Sequence, residues 1–156
     1  ALDEIYWLKE RGIVYVEQPM PKETTKEMEW LSQHSPLPTI ADEAVQRLSD
    51  LFELKNRFHG VNIKLMKCTG IREGYLMAKV AKSLGLKVMI GCMTESSCGI
   101  AAAAQLAPLA DWVDLDGHFL LADDPFEGLG FENGVVHLSE QNGLGVFPKH
   151  LSWADQ

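Results

Sequence analysis

Cysteine is scarce in this sequence, and its pattern excludes the protein classes that depend on it. Cys68, Cys92 and Cys98 are the three cysteines, an odd number with no Cys-x-x-Cys pair. Neither a disulfide framework nor a zinc knuckle is therefore indicated. We expect the three side chains to be buried thiols or thiols that line a site.

Basic residues and long apolar runs are also in short supply. Lys and Arg number 14 against 22 Asp and Glu, which gives a formal net charge of -8. Nucleic-acid binding depends largely on Lys and Arg neutralising phosphates, so this balance argues against it. The apolar runs are far shorter than the roughly 20 residues that a membrane helix needs, and no basic-then-apolar signal pattern begins the sequence. We therefore expect a cytoplasmic protein that binds neither nucleic acid nor membranes.

The sequence does contain a repeated unit in which a short apolar run ends in residues capable of chemistry. The runs recur at intervals of about 25 residues, the length of one supersecondary unit used repeatedly. We expect function to lie where the runs end. The runs are Val14-Tyr15-Val16 before Glu17, Thr39-Ile40-Ala41 before Asp42, Val61-Asn62-Ile63 before Lys64, Val88-Met89-Ile90 before Cys92 to Glu95, and Trp112-Val113 before Asp114 and Asp116.

Helical periodicity between the runs predicts an α/β fold. Alternating strands and helices with short links favour parallel strands joined by right-handed crossovers. An open doubly wound sheet and part of a (β/α)8 barrel both fit, and both bind ligands at the carboxyl ends of their strands. A barrel needs eight units and this sequence supplies about five, so it would be the C-terminal portion of one. We place the βα units in residues 1–117 and a C-terminal tail in residues 118–156, with a hairpin turn at Asn133-Gly134.

Two local features of the helices are also expected from the pattern. Gly60 should end the helix that precedes the third strand. The helix after Thr69 should bury one apolar face. That face is made of Ile71, Tyr75, Ala78 and Ala81.

Glu17, Asp42 and Lys64 are the first candidate site residues. Two carboxylates at the ends of adjacent strands can converge on one hard cation such as Mg²⁺. A lysine beside that cation would have its ammonium form disfavoured and could accept a proton near neutral pH. Each residue is also consistent with an ordinary solvated side chain. We expect Glu43 to face away and pair with a neighbouring cation, and Lys67, on the opposite strand parity, to face solvent.

Asp114 and Asp116 form the second candidate group. Residues two apart on a strand share a face, and Gly117 leaves room beside them. Paired acids can hold an ammonium group, bind a second metal or share a proton. A pair that merely caps a loop is the alternative.

Five motifs in order resemble the enolase superfamily, specifically the muconate-lactonizing subgroup and, within it, the dipeptide epimerases such as the L-Ala-D/L-Glu epimerases. The resemblance runs from about Gly12 to Gly145, and the Asp-x-Asp of the last motif is what points to epimerases of dipeptides. The motifs are Val16-Glu17-Gln18-Pro19, Ile40-Ala41-Asp42-Glu43-Ala44, Asn62-Ile63-Lys64-Leu65-Met66-Lys67, Gly91-Cys92-Met93-Thr94-Glu95-Ser96 and Asp114-Leu115-Asp116-Gly117.

The resemblance implies a mechanism and a role for each candidate. A proton is abstracted alpha to a carboxylate, Mg²⁺ stabilises the enediolate, and reprotonation follows from the other face, as in other enolase-superfamily sites. The implied roles are metal ligation by Glu17 and Asp42, proton transfer by Lys64, binding of the substrate ammonium by Asp114 and Asp116, and lining of the site by Cys92, Met93 and Thr94.

The family also carries a Lys-x-Lys motif, a first metal-ligand Asp and an N-terminal capping domain, and the 156 residues contain none of the three. We therefore expect this chain alone to be inactive and the intact enzyme to be a homo-oligomer that acts on dipeptides. One alternative is a muconate cycloisomerase or an o-succinylbenzoate synthase, although an acidic pair has no evident use with a substrate such as muconate. A non-catalytic half-barrel that binds a partner is the other, and it gives no reason for acids and a lysine at successive strand ends.

Overall fold

Five parallel strands form the sheet on which the molecule is built. The structure is a computed structural model that describes residues 1–149; the last seven residues of the predicted tail, 150–156, lie outside the described residues. The sheet runs in sequential order from the first strand to the fifth, and every neighbouring pair is parallel. The strands are β1 Val16–Glu17, β2 Thr39–Ala41, β3 Gly60–Lys64, β4 Lys87–Gly91 and β5 Trp112–Val113.

Helices connect the strands, as the alternating pattern predicts. Short 3₁₀ segments at Leu48–Asp50, Ala107–Leu109 and Gly117–Leu120 supplement them. No helix within residues 1–149 is both long and apolar enough to traverse a bilayer. The α-helices are α1 Leu2–Lys9, α2 Thr25–His34, α3 Leu51–Leu54, α4 Ile71–Ser83 and α5 Ser97–Ala104.

One face of the sheet carries the hydrophobic core. Alternate strand residues point to this outer face, and a single buried cluster joins them to residues of all five helices, such as Met28 and Met77. A doubly wound sheet would reverse its strand order and cover both faces with helices. The sequential order seen here is that of consecutive units of a (β/α)8 barrel. The outer-facing strand residues of the cluster are Val16, Ala41, Val61, Ile63, Val88 and Ile90.

Two expectations about the helices are wrong. Gly60 is the first residue of β3 rather than the end of a helix; it is needed there because a Cβ would lie 2.8 Å from Ile40 Cδ1. In α4 the buried residues are Gly74, Met77, Ala78 and Ala81. Ile71 and Tyr75 of the predicted face are instead 42% and 45% exposed. The helix turns this way because Gly74, with no side chain, allows close contact with Leu65 and Leu106.

The tail contains the predicted hairpin. Two short antiparallel strands, Gly130–Glu132 and Val135–His137, pair across the turn. Asn133 and Gly134 have φ values of 51° and 80°, the left-handed backbone that a two-residue type I′ turn requires. A second pair, Phe126–Glu127 with Phe147–Pro148, ties down the remainder of the tail.

Candidate active site

The inner face of the sheet brings the first three candidates together at the carboxyl ends of its strands. Glu17, Asp42 and Lys64 end or directly follow β1, β2 and β3. Lys64 Nζ lies 2.7 Å from Asp42 Oδ2 and 3.9 Å from Glu17 Oε1. The three side chains are partly buried, with 28% or less of each exposed. They therefore form one cluster, as the sequence predicts, rather than three separate solvated groups.

Lys67 is also a member of this cluster, and the expectation that it faces solvent is wrong. Its Nζ donates to Asp42 Oδ1 at 2.5 Å and to the Asp42 carbonyl at 2.7 Å. The strand ends at Lys64 and the chain turns, with Lys67 N donating to the Lys64 carbonyl. Strand alternation no longer applies after that turn, which returns Lys67 to the site. The neighbouring Glu43 is exposed and makes no ion pair with residues 1–149.

Asn62 positions the Glu17 carboxylate. Its side chain is 1% exposed, and Nδ2 donates to Glu17 Oε1 at 2.7 Å. Asn62 Oδ1 is buried without a hydrogen-bond partner among residues 1–149. Gly91, on the adjacent strand β4, leaves the space that the Asn62 amide occupies. Asn62 therefore fixes the position of Glu17 from the neighbouring strand.

Gln18 links the loops that follow β1 and β2. Its Oε1 accepts from the backbone N–H groups of Asp42 at 2.9 Å and Ala44 at 3.2 Å. Its Nε2 donates to the Met20 carbonyl at 2.9 Å. The backbone of Gln18 has φ of 37°, a region that costs a residue other than glycine about 1–3 kcal/mol. The surrounding contacts must hold this conformation.

The charges of the cluster shift one another's pKa values. Burial and the nearby Asp42 carboxylate raise the pKa of Glu17, although the Asn62 hydrogen bond opposes them. Burial would raise the pKa of Asp42, but hydrogen bonds from Lys64 and Lys67 outweigh it, so that pKa is lowered. Burial likewise opposes the ammonium form of Lys64, but Asp42 and Glu17 outweigh it and raise the pKa. Asp42 and Glu17 alone thus favour the charged form of Lys64. A cation beside Lys64 would have the opposite effect and disfavour that form.

Asp114 and Asp116 follow β5 at the carboxyl end of that strand. Both residues are exposed, and the pKa of Asp114 is raised by partial desolvation and by Asp116, while Lys64 opposes the shift. The carboxylate pair has no cationic side chain within ion-pair distance among residues 1–149. It remains available to a cationic ligand.

The loop after β4 completes this side of the site. Cys92 Sγ accepts a hydrogen bond from Gly117 N at 3.3 Å and so ties the loop to the segment after β5. Met93 and Thr94 are exposed at the mouth. Glu95, by contrast, is 8% exposed and accepts a bond from Met93 N at 3.0 Å. Glu95 therefore supports the loop instead of lining the site. Cys68, Cys92 and Cys98 are free thiols; Cys68 is buried and the other two are partly buried.

An aromatic pair lies beneath the carboxylates. The rings of Tyr15 and Trp112, at opposite edges of the curved sheet, have centroids 4.9 Å apart. Tyr15 and Trp112 precede Glu17 and Asp114 by two residues, so each ring lies about 7 Å below its acid along the strand. Burial, together with those two acids, raises the pKa of the Tyr15 phenol. The pair forms the floor of the inner face.

The oxygen donors of the cluster suit a hard divalent cation. Mg²⁺ prefers carboxylate oxygens and usually keeps several waters. Glu17 and Asp42 are close enough for the Asp42 charge to raise the Glu17 pKa, and a cation between them would relieve that repulsion. Within residues 1–149, no three His, Cys, Asp or Glu side chains are grouped so as to hold a metal. The two carboxylates fit Mg²⁺ as a partial ligand set that needs further donors.

Fold and site together define a class, the (β/α)8-barrel proteins whose functional side chains stand at the carboxyl ends of parallel strands. The chain belongs to the enolase C-terminal domain-like family, which it matches over residues 1–151. This membership confirms the predicted superfamily, and the matching structures confirm the predicted fold as the C-terminal portion of its barrel.

Individual relatives are dipeptide epimerases. The chain is 54% identical over 146 residues to the L-Ala-D/L-Glu epimerase of Bacteroides thetaiotaomicron, covering 94% of the chain and 38% of the relative. It is 47% identical to an L-Ala-D/L-amino acid epimerase of Flavobacterium johnsoniae, covering 89% and 41%. A solved dipeptide epimerase from Methylococcus capsulatus, complexed with Mg and the dipeptide L-Arg-D-Lys, is 35% identical with a TM-score of 0.82, covering 93% and 43%. The chain thus spans about two fifths of these proteins.

Proposed function

We propose that this chain is the C-terminal part of a Mg²⁺-dependent dipeptide epimerase, an isomerase. The observation that carries the proposal is the cluster in which Lys64 reaches both Asp42 and Glu17 at the mouth of the half-barrel. Relatives named as dipeptide epimerases at 47–54% identity support it. In this proposal residues 1–117 supply barrel units and residues 118–156 a C-terminal tail. The first barrel strands and a capping domain belong to the rest of the enzyme.

In the proposed site Glu17 and Asp42 hold Mg²⁺ and Lys64 moves the proton. A bound divalent cation supplies positive charge where negative charge develops on the substrate carboxylate, which makes the alpha proton removable. Lys64 Nζ stands 2.7 Å from Asp42 and must leave that carboxylate to take or return a proton at the alpha carbon. Lys67 keeps its own bonds to Asp42 when Lys64 leaves. The lysine that acts on the other face of the substrate would come from the earlier barrel strands.

Asp114 and Asp116 are proposed to bind the free ammonium group of the dipeptide. The pair is exposed, and the pKa of Asp114 is raised first by partial burial and then by the nearby Asp116 charge. An ammonium group between them would offset this repulsion. Cys92, Met93 and Thr94 would line the same side of the pocket. A cytoplasmic location and a homo-oligomeric intact enzyme remain predictions.

The test is exchange of the alpha proton in the complete protein. Incubation in D₂O with Mg²⁺ and L-Ala-L-Glu should give deuterium at the alpha carbon and epimerised product, both detected by NMR. Lys64→Met should lower the exchange rate at least 100-fold, because general acid/base groups contribute about 10²–10⁴-fold. Lys26→Met, at an exposed lysine of α2, is the matched control and should leave the rate unchanged. Absence of exchange in the unmodified protein with any dipeptide would refute the proposal.

A second variant tests the ammonium role separately from the metal role. Asp116→Asn should raise the KM for the dipeptide far more than it changes Mg²⁺ affinity, because Asp116 makes no contact with Glu17 or Asp42 in this proposal. Equal losses of dipeptide and metal binding would contradict the assigned role. An N-acetylated dipeptide, which lacks the ammonium group, should be a poor substrate for the unmodified protein and should not discriminate between it and the variant.

A further inference from the structure

Gln18 lies between the surroundings of the two carboxylates. It directly follows Glu17, and its side chain crosses to the loop after β2, where it accepts hydrogen bonds from Asp42 N and Ala44 N. Its Nε2 returns to its own loop through the Met20 carbonyl. The polar atoms of this amide group thus make three hydrogen bonds. They join the segment that follows Glu17 to the loop that carries Asp42.

The backbone of Gln18 is bent to make these contacts. Its N–H still donates to the Ile40 carbonyl at 2.8 Å, so the pairing of β1 with β2 continues up to this residue. The φ of 37° then breaks the alternation of the strand. The left-handed region is disfavoured for a residue with a Cβ, and residue 19 is a proline, which restricts the preceding residue further. Strain of this kind persists where the surrounding structure holds it and is common at functional sites.

We propose that Gln18 is a positioning residue that sets the separation of Asp42 from Glu17 and so the affinity of the site for Mg²⁺. The inference depends on the proposed function, because it concerns the same carboxylates. Gln18 touches neither the cation nor the substrate in this assignment. It acts through the backbone of Asp42, whose N–H it holds at 2.9 Å, while Lys64 remains free to transfer the proton.

The experiment compares variants of the complete protein for Mg²⁺ binding by calorimetry and for alpha-proton exchange at increasing Mg²⁺. Gln18→Met keeps the length of the side chain and removes both its acceptor and its donor. It should weaken Mg²⁺ binding 10-fold or more, the usual effect of losing a group that orients a metal ligand, and saturating Mg²⁺ should restore kcat. Gln18→Glu keeps the acceptor for Asp42 N and Ala44 N, and it should bind Mg²⁺ at least as tightly as the unmodified protein.

Gln46→Met is the matched control, because Gln46 lies exposed on the loop after β2 and its substitution should change neither measurement. If Gln18→Met does not fold, Gln18→Asn keeps the amide but cannot span the loops, and it should show the same loss. Unchanged Mg²⁺ affinity in Gln18→Met overturns the positioning role and leaves the proposed function intact. A kcat that stays low at saturating Mg²⁺ also overturns it. Failure of the unmodified protein to bind Mg²⁺ overturns both.

Discussion

Replacing Gly91 with alanine should disturb the candidate site through a single methyl group. A Cβ at this position would overlap Asn62 Oδ1 and lie 2.7 Å from Nδ2 and 2.9 Å from Cγ. Ordinary contacts begin near 3.4 Å, so Asn62 must move. Asn62 is fully enclosed and bonded to Glu17 at 2.7 Å, and it cannot move without changing that bond.

The size of the effect follows from the two ways in which the overlap can be relieved. If Asn62 stays, the compressed contact costs about 1–3 kcal/mol, as overpacking usually does. If it rotates away, the bond to a charged carboxylate is lost, which costs about 1.5–3 kcal/mol. Alanine regains about 0.5–1 kcal/mol because glycine is unfavourable inside a strand. We expect Gly91→Ala to lower the free energy of unfolding by about 1–2 kcal/mol.

A double-mutant cycle measured by urea denaturation separates this contact from general damage to the strand. Asn62→Ala removes the group that the new methyl would meet, so adding Gly91→Ala to that variant should cost nothing or stabilise slightly. The coupling between the two positions should then match the cost of Gly91→Ala alone. Purely additive costs, or a single variant within about 0.5 kcal/mol of the unmodified protein, would refute the reasoning.

Three further outcomes are expected. Met77→Ala should lower the free energy of unfolding in urea by about 2–5 kcal/mol, because the side chain is 1% exposed and its loss leaves a cavity. Hydrogen bonds from Arg47, Leu48 N and the Thr69 hydroxyl lower the pKa of Glu73 to about 2. The folded pKa of Glu73 is thus below its unfolded value, so the stabilising effect of Glu73 is present above about pH 4.5 and is lost as the pH falls toward 2. Glu73→Gln should therefore reduce the change in melting temperature over this pH range. Chelation by EDTA should abolish alpha-proton exchange in the complete protein, and added Mg²⁺ should restore it.

The positions of Glu17, Asp42 and Lys64 could be predicted from the sequence because they depend on one local rule. An apolar run followed by a polar residue places that residue at the end of a strand, and parallel strands bring such ends to one edge. The hairpin at Asn133-Gly134 was predictable for a similar reason, since its turn type is specified by the two residues themselves. Both features are encoded within a few residues.

Lys67, Gln18 and Asn62 could not be assigned in the same way. Lys67 reaches Asp42 only because the chain turns after β3, which ends the strand alternation on which its prediction depended. The acceptor bonds of Gln18 to Asp42 and Ala44, and the bond of Asn62 to Glu17, join residues 24 or more apart, so they exist only after the sheet has formed. Spacing offered one signal: Asn62 stands two residues before Lys64 and therefore shares its face. The buried face of α4 was missed because close packing at Gly74, not hydrophobicity, determines it.

The contact between the tilted rings of Tyr15 and Trp112 bears on how a ligand would reach the site of the proposed enzyme. Because this pair lies at the amino-terminal end of the inner face, a ligand of the proposed enzyme would enter and leave past the carboxyl ends of the strands. Substrate and product of the proposed enzyme would therefore share one opening, so that product release contributes to the turnover rate together with proton transfer.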